Sequence, residues 1–179
     1  GEREAMAPQP DRFLEIYLAD HLAAAAAGLA LVRRAARSNT GTRTGDTLRR
    51  LTVEIDEDRH TLHRLVTALG FTGSKSKEVV AWAAEKVGRL KRNGQLRGYS
   101  PLSRVLELEA LSVGIAGKLA LWETLERVPD PGRCLREFEL HHLIERALRQ
   151  REEVEQLRLE AVHQAFAGGI SGARSGATS

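Results

Sequence analysis

The chain has 179 residues, with 27 Lys plus Arg against 24 Asp plus Glu, a net charge of +3. With 42% hydrophobic and 28% charged residues it can bury a core, which argues against wholesale disorder and points to one domain. One cysteine, Cys134, excludes an internal disulfide framework and any Cys-rich zinc site. Aromatic content of 4% is a poor supply for a sandwich or barrel, so the composition points to helices.

Residues 1–10 read as a flexible tail with no secretory signal. The first helix is predicted over 11–37, with Asp11 as N-cap and Leu14, Leu18, His21, Ala25, Gly28, Val32 and Ala35 at alternating gaps of four and three. Its most apolar stretch, Leu22 to Val32, is too short to span a bilayer, so no transmembrane segment is expected and a cytoplasmic protein is. Ser38 to Gly45 reads as a turn. The second helix is predicted over 46–69, with Leu48, Leu51, Ile55, Leu62, Leu65 and Leu69 on one stripe and Gly70 as its stop.

Residues 71–100 read as a crossover with a short extra helix through Val80, Ala83, Val87 and Leu90, closed by Asn93-Gly94. Ser100-Pro101 opens the third helix, predicted to about Val128 and apolar on most faces. Gly114 and Gly117 inside it predict a close crossing, against the alanine run Ala23 to Ala27 of the first helix. Asp130-Pro131 repeats the start signal for a fourth helix running to about Phe166, and the Gly/Ser-rich residues 167–179 read as a flexible tail. Two pairs of helices joined by short turns, with a long connection between the pairs, predict an all-α, ferritin-like antiparallel four-helix bundle of two hairpins.

Ferritin-like di-iron proteins place a Glu on each of two helices and Glu-x-x-His on each of the other two. Glu57 and His60 on the second helix, and Glu139 and His142 on the fourth, match that spacing. At about 100° per residue both pairs fall away from the apolar stripes, and neither the first nor the third helix offers a level carboxylate. The solvated-face reading is therefore adopted, with no cofactor assigned and iron as the alternative.

Other polar residues break into the stripes. His21, Glu54, Asp58, Glu109 and Arg151 are predicted inward, and Glu54, Asp58, Glu109 and Arg151 form an expected structural ion network, because an Arg fork can hold two buried carboxylates. The alternative is a degenerate metal pocket of His21, Glu54, Asp58 and Glu109. Lys86, Arg89, Lys91, Arg92 and Arg97 crowd the crossover as a candidate anion-binding patch for nucleic acid or an acidic membrane surface. The adopted reading is that these cations only complement a helix C-terminus. Cys134 reads as structural.

The stretch from Gly88-Arg-Leu-Lys-Arg-Asn-Gly-Gln-Leu-Arg-Gly-Tyr-Ser-Pro-Leu through Gly114-Ile-Ala-Gly-Lys-Leu-Ala-Leu-Trp122 resembles a family of bacterial helical proteins related in architecture to ferritin-like bundles. The resemblance extends over the first two helices and implies a fold and a bacterial cytoplasmic setting, without an activity. The functional expectation is a non-catalytic bundle with a structural, oligomeric or partner-binding role. A metal-binding or di-iron oxidoreductase and a binder of anionic polymer or membrane are the alternatives. A small apolar ligand in the bundle core is compatible with the Ala- and Gly-rich helices.

Overall fold

A computed structural model describes residues 10–71, 98–130 and 132–169. Four long helices pack together: α1 (Pro10–Ser38), α2 (Arg43–Ala68), α3 (Pro101–Arg127) and α4 (Leu140–Ala165), with one 3-10 turn at Arg136–Phe138. The described residues contain no strand. The short crossover helix expected within 71–100 lies outside them, apart from Phe71 and the residues from Gly98 onward.

The turn between α1 and α2 is built from side chains as well as backbone. Thr42 caps α2 by accepting from the Gly45 N–H at 3.1 Å. Asn39 is buried, and its Nδ2 donates to the Ala35 carbonyl at 2.8 Å and to the Tyr99 hydroxyl at 2.7 Å. The turn is thereby tied to the segment leading into α3. Gly45 is there because a Cβ would fall 2.0 Å from the Asn39 carbonyl oxygen.

Gly70 ends α2 in the left-handed region, φ +77°, while the Phe71 N–H reaches back to the Val66 carbonyl and the Gly70 N–H to that of Thr67. This is the helix stop that the glycine predicts. Ser100 and Ser103 form a reciprocal capping box at the start of α3, with Pro101 in the first turn, also as the sequence predicts.

The start of the last helix differs from the expectation by most of three turns. Asp130 does cap, but what it caps is a turn: its carboxylate accepts from the Cys134 N–H at 2.9 Å and the Leu135 N–H at 2.8 Å. Arg133 and Glu139 then take left-handed backbone, φ 56° and 45°, so a continuous helix cannot form before Leu140. Within this connection Leu135 and Phe138 are buried, and the Arg64 guanidinium lies over the Phe138 ring at 5.6 Å. Cys134 is exposed in the same turn.

Each helix presents one face inward, and the interior divides into two apolar clusters. One gathers Leu29, Val32, Leu51, Leu108, Val154 and Leu157, and the other Leu18, Leu62, Leu65, Trp122, Leu125 and Leu143. Between them every helix except α1 contributes one polar residue. Asp58 stands between Ile55 and Leu62, Lys118 between Ile115 and Leu119, and Gln150 between Ala147 and Val154.

Side-chain bonds fix the register of the helices. Arg104 meets Gln164, and Lys118 meets Gln150, between α3 and α4. Arg50 meets Glu153, Glu54 meets Gln150, and Glu57 meets Arg146, between α2 and α4. Tyr17 meets Thr124, and Arg34 meets Glu107, between α1 and α3. In each set, numbers rise along one helix as they fall along the other.

Candidate functional site

The polar layer starts from Asp58, which is 2% exposed. One carboxylate oxygen accepts from Lys118 Nζ at 2.5 Å, and the other faces Arg146 Nη2 at 2.5 Å. Lys118 also donates to Gln150 Oε1 at 2.5 Å, and Gln150 Nε2 donates to Glu54 at 2.9 Å. Arg146 reaches outward to Glu57 at 2.9 Å. Burial pulls the Lys118 ammonium below the ordinary lysine value, and the Asp58 charge pulls it back up. A carboxylate this deep needs cations beside it, and two lie against its oxygens.

The ion network expected from the sequence is therefore present with different members. Glu54 and Asp58 belong to it. Glu109 does not: it is exposed and faces Arg158 at 3.8 Å. Arg151 does not either, being exposed at the α4 surface. The inward position on α4 is Gln150, one residue earlier, and a single residue is about 100° of helix. On α3 the error is larger, because Glu107 rather than Glu109 is buried, bonded to Arg34 at 2.9 Å.

Beside the polar layer a cleft of 260 Å³ opens between α1 and α3, with α2 as its floor. Ala24, Ala25 and Gly28 of α1 face Ala110, Gly114 and Gly117 of α3 across it. These small residues do not make the close helix crossing that the sequence predicts. A Cβ added to Gly28, Gly114 or Gly117 would meet nothing within 4 Å, so the missing side-chain volume stays open. Val113 stands at the rim, 73% exposed, and Leu111, Ile115, Leu121 and Trp122 line the buried side. Trp122 is 0% exposed, and its indole N–H has no acceptor among the described residues.

His21 lies at the same cleft, half-buried and edge-on to the Tyr17 ring with centroids 4.5 Å apart. Burial holds it below the ordinary histidine value, against a smaller upward pull from Asp20. The unfolded chain therefore takes up this proton first, and stability falls as pH drops through about 6.5 toward the folded-state value. Chemical denaturation between pH 7.5 and 5.5 should show that loss, and His21→Gln should flatten the slope. An unchanged slope in the variant would assign the pH dependence to other groups.

The remaining predicted site residues are dispersed. Glu57, His60, Glu139 and His142 are all exposed. His60 Nδ1 lies 2.8 Å from the Asp56 carbonyl of its own helix, and His142 faces Glu139 and Glu145. His21 and Asp58 share the cleft, but Glu54 turns to Gln150 and Glu109 to α4. Among the described residues no three His, Cys, Asp or Glu side chains gather where they could share a metal ion. The motif residues thus do not fit a di-iron centre. Lys86, Arg89, Lys91, Arg92 and Arg97 lie outside the described residues.

α1 is the one described helix long and apolar enough to cross a membrane by length and composition, over Arg12–Ser38. Its far end is held by charge: Arg33 pairs with Asp56 of α2 at 3.1 Å and Arg34 with Glu107 of α3 at 2.9 Å.

Sequence reasoning misses Lys118, Arg146, Gln150 and Trp122. A signal for Lys118 is present, since it is the only charged residue between Ala110 and Trp122. The chain matches no protein-family model, and no match was found among curated proteins or solved structures. The family resemblance rests on the quoted residues alone.

Proposed function

We propose that this chain is a non-catalytic binding protein of the bacterial cytoplasm, built as a ferritin-like antiparallel bundle of two helical hairpins. The opposed numbering of the pairs between α1 and α3, α3 and α4, and α2 and α4 supports that topology. The setting follows from the sequence resemblance.

The observation that carries the binding role is the open cleft between α1 and α3. A bundle selected only to be stable would fill 260 Å³ with side chains, because interiors pack to crystal-like density. Here both walls are uncharged through their middle turns, from Leu22 to Val32 and from Ala110 to Gly117. Such a concave, mostly apolar site with a few polar groups at one end takes a guest. The exposed Val113 at its rim extends the same surface toward a protein partner or a second copy. The di-iron alternative draws no support from four side chains on the outer surface.

The test is titration with naphthalene, a fluorescent bicyclic small enough for a cleft of this size, under native conditions. The native protein should bind it at about one site per chain, an estimate that follows from one such cleft. Gly117→Leu, whose Cβ would meet nothing within 4 Å and whose side chain would occupy the cleft, should abolish that site while remaining folded. Equal naphthalene binding by both proteins would overturn the reading.

A further inference from the structure

We propose that the guest of the α1/α3 cleft is a small carboxylate with an apolar body of about ten heavy atoms, its head group directed to Lys118 and Trp122. This rests on the proposed binding role and names the ligand class.

Size sets the first limit. A dry cavity of about 150 Å³ accepts benzene, so 260 Å³ accommodates on the order of ten heavy atoms. The walls set the second. Alanine, glycine, leucine and isoleucine dominate the lining, which offers nothing to a polar body.

The polar end defines the head group. Lys118 Nζ carries three N–H bonds, of which one goes to Asp58 and one to Gln150. The third has no acceptor among the described residues. The Trp122 indole N–H, wholly buried, is in the same position. A buried donor without an acceptor is costly, so the Trp122 N–H asks for an oxygen acceptor from a ligand, and Lys118, one helical turn before it and 15% exposed, keeps an N–H for the same oxygen. Asp58 is already held by two cations, one oxygen accepting from Lys118 and the other, without a hydrogen bond, in an ion pair with Arg146, so a further cationic head group would compete with both. Among its lining charges Arg59 and Lys118 are cations and Asp58 is the anion, with burial keeping His21 toward its neutral form. An anionic oxygen fits that balance better than a neutral hydroxyl, because a charge-assisted hydrogen bond is the stronger kind.

Octanoate, 1-octanol and octylamine are chain-matched probes that separate the head groups. Calorimetric titration of the full chain should show octanoate binding about tenfold more tightly than octanol, with octylamine not binding. Gly117→Leu should bind none of the three. Lys118→Met should lose the preference of octanoate over octanol, and Gly117→Leu supplies the folded control if that variant is unstable.

Equal affinity for octanoate and octanol would overturn the carboxylate assignment. Failure of all three probes would overturn the ligand class. If naphthalene still bound the native chain and not Gly117→Leu, the binding role would stand while the carboxylate guest fell. If octanoate bound Gly117→Leu as well as the native chain, the site would not be this cleft.

Discussion

Asp58→Ala is expected to lower the free energy of unfolding by about 3–5 kcal/mol, read as a shift of the urea midpoint with an unchanged slope. The size follows from what would be left behind. Lys118 is 15% exposed and would keep its charge beside a cavity, with only Gln150 as partner. Arg146 would lose its inner contact and keep the outer one to Glu57. Removing one member of a buried pair strands the other, and that stranded charge is where the cost arises. Replacing Asp58, Lys118 and Gln150 together by leucine, methionine and leucine should cost far less, since the buried ammonium goes with its partner and Arg146, 23% exposed, keeps Glu57. Arg151→Leu is the contrasting case. The sequence expectation places Arg151 in the network as the fork that holds two buried carboxylates, a position whose loss would be costly. With its side chain exposed on α4, the expected change is within about 0.5 kcal/mol. If Arg151→Leu proved as damaging as Asp58→Ala, α4 would have to turn Arg151 rather than Gln150 toward the core.

The contrast shows which parts of this fold are legible in the residues. Local chemistry reads well at the Gly70 stop and the Ser100-Pro101 start, which depend on neighbours a few positions away, whereas the second helix begins at Arg43 behind a Thr42 cap and not at the expected Asp46. The α2 stripe also reads well, because its leucines repeat cleanly and Leu48, Leu51, Ile55, Leu62 and Leu65 are all buried. α3 reads poorly for the opposite reason. It is apolar nearly all round, so its phase hangs on a few charged residues, and it is Glu107 and Lys118, not the expected Glu109, that turn inward. On α4 the apolar residues admit two stripes one position apart, and only the partners on α2 and α3 select Gln150 over Arg151.

The cleft is harder still. Small residues on two facing helices allow either contact or a void, and the sequence alone gives no reason to prefer the void. Distances across the bundle decide it. Trp122 and Leu121 of α3, together with Leu18 and Leu29 on either side of the alanine run, hold α1 at the spacing that large side chains require. The glycines between them cannot reach across. The site therefore arises from bulk elsewhere, a long-range property that no local motif announces.

Trp122 carries the second large effect. Trp122→Ala should cost about 3–5 kcal/mol, because a fully buried indole is lost and the cavity left behind joins an existing cleft. Trp122→Phe should behave differently. It removes some packing, but it also removes a buried N–H with no acceptor among the described residues, and leaving such a donor unpaired costs about 1–3 kcal/mol. The two terms oppose each other, so the net loss without ligand should stay below about 1.5 kcal/mol. Octanoate would then show what the N–H does. A ligand oxygen that accepts from the indole would bind Trp122→Phe less tightly than the native chain, even though the variant folds nearly as well. If Trp122→Phe instead unfolded about as readily as Trp122→Ala, the N–H would already be satisfied within the folded protein. The donor count that assigns a carboxylate to this cleft would then lose one of its two members.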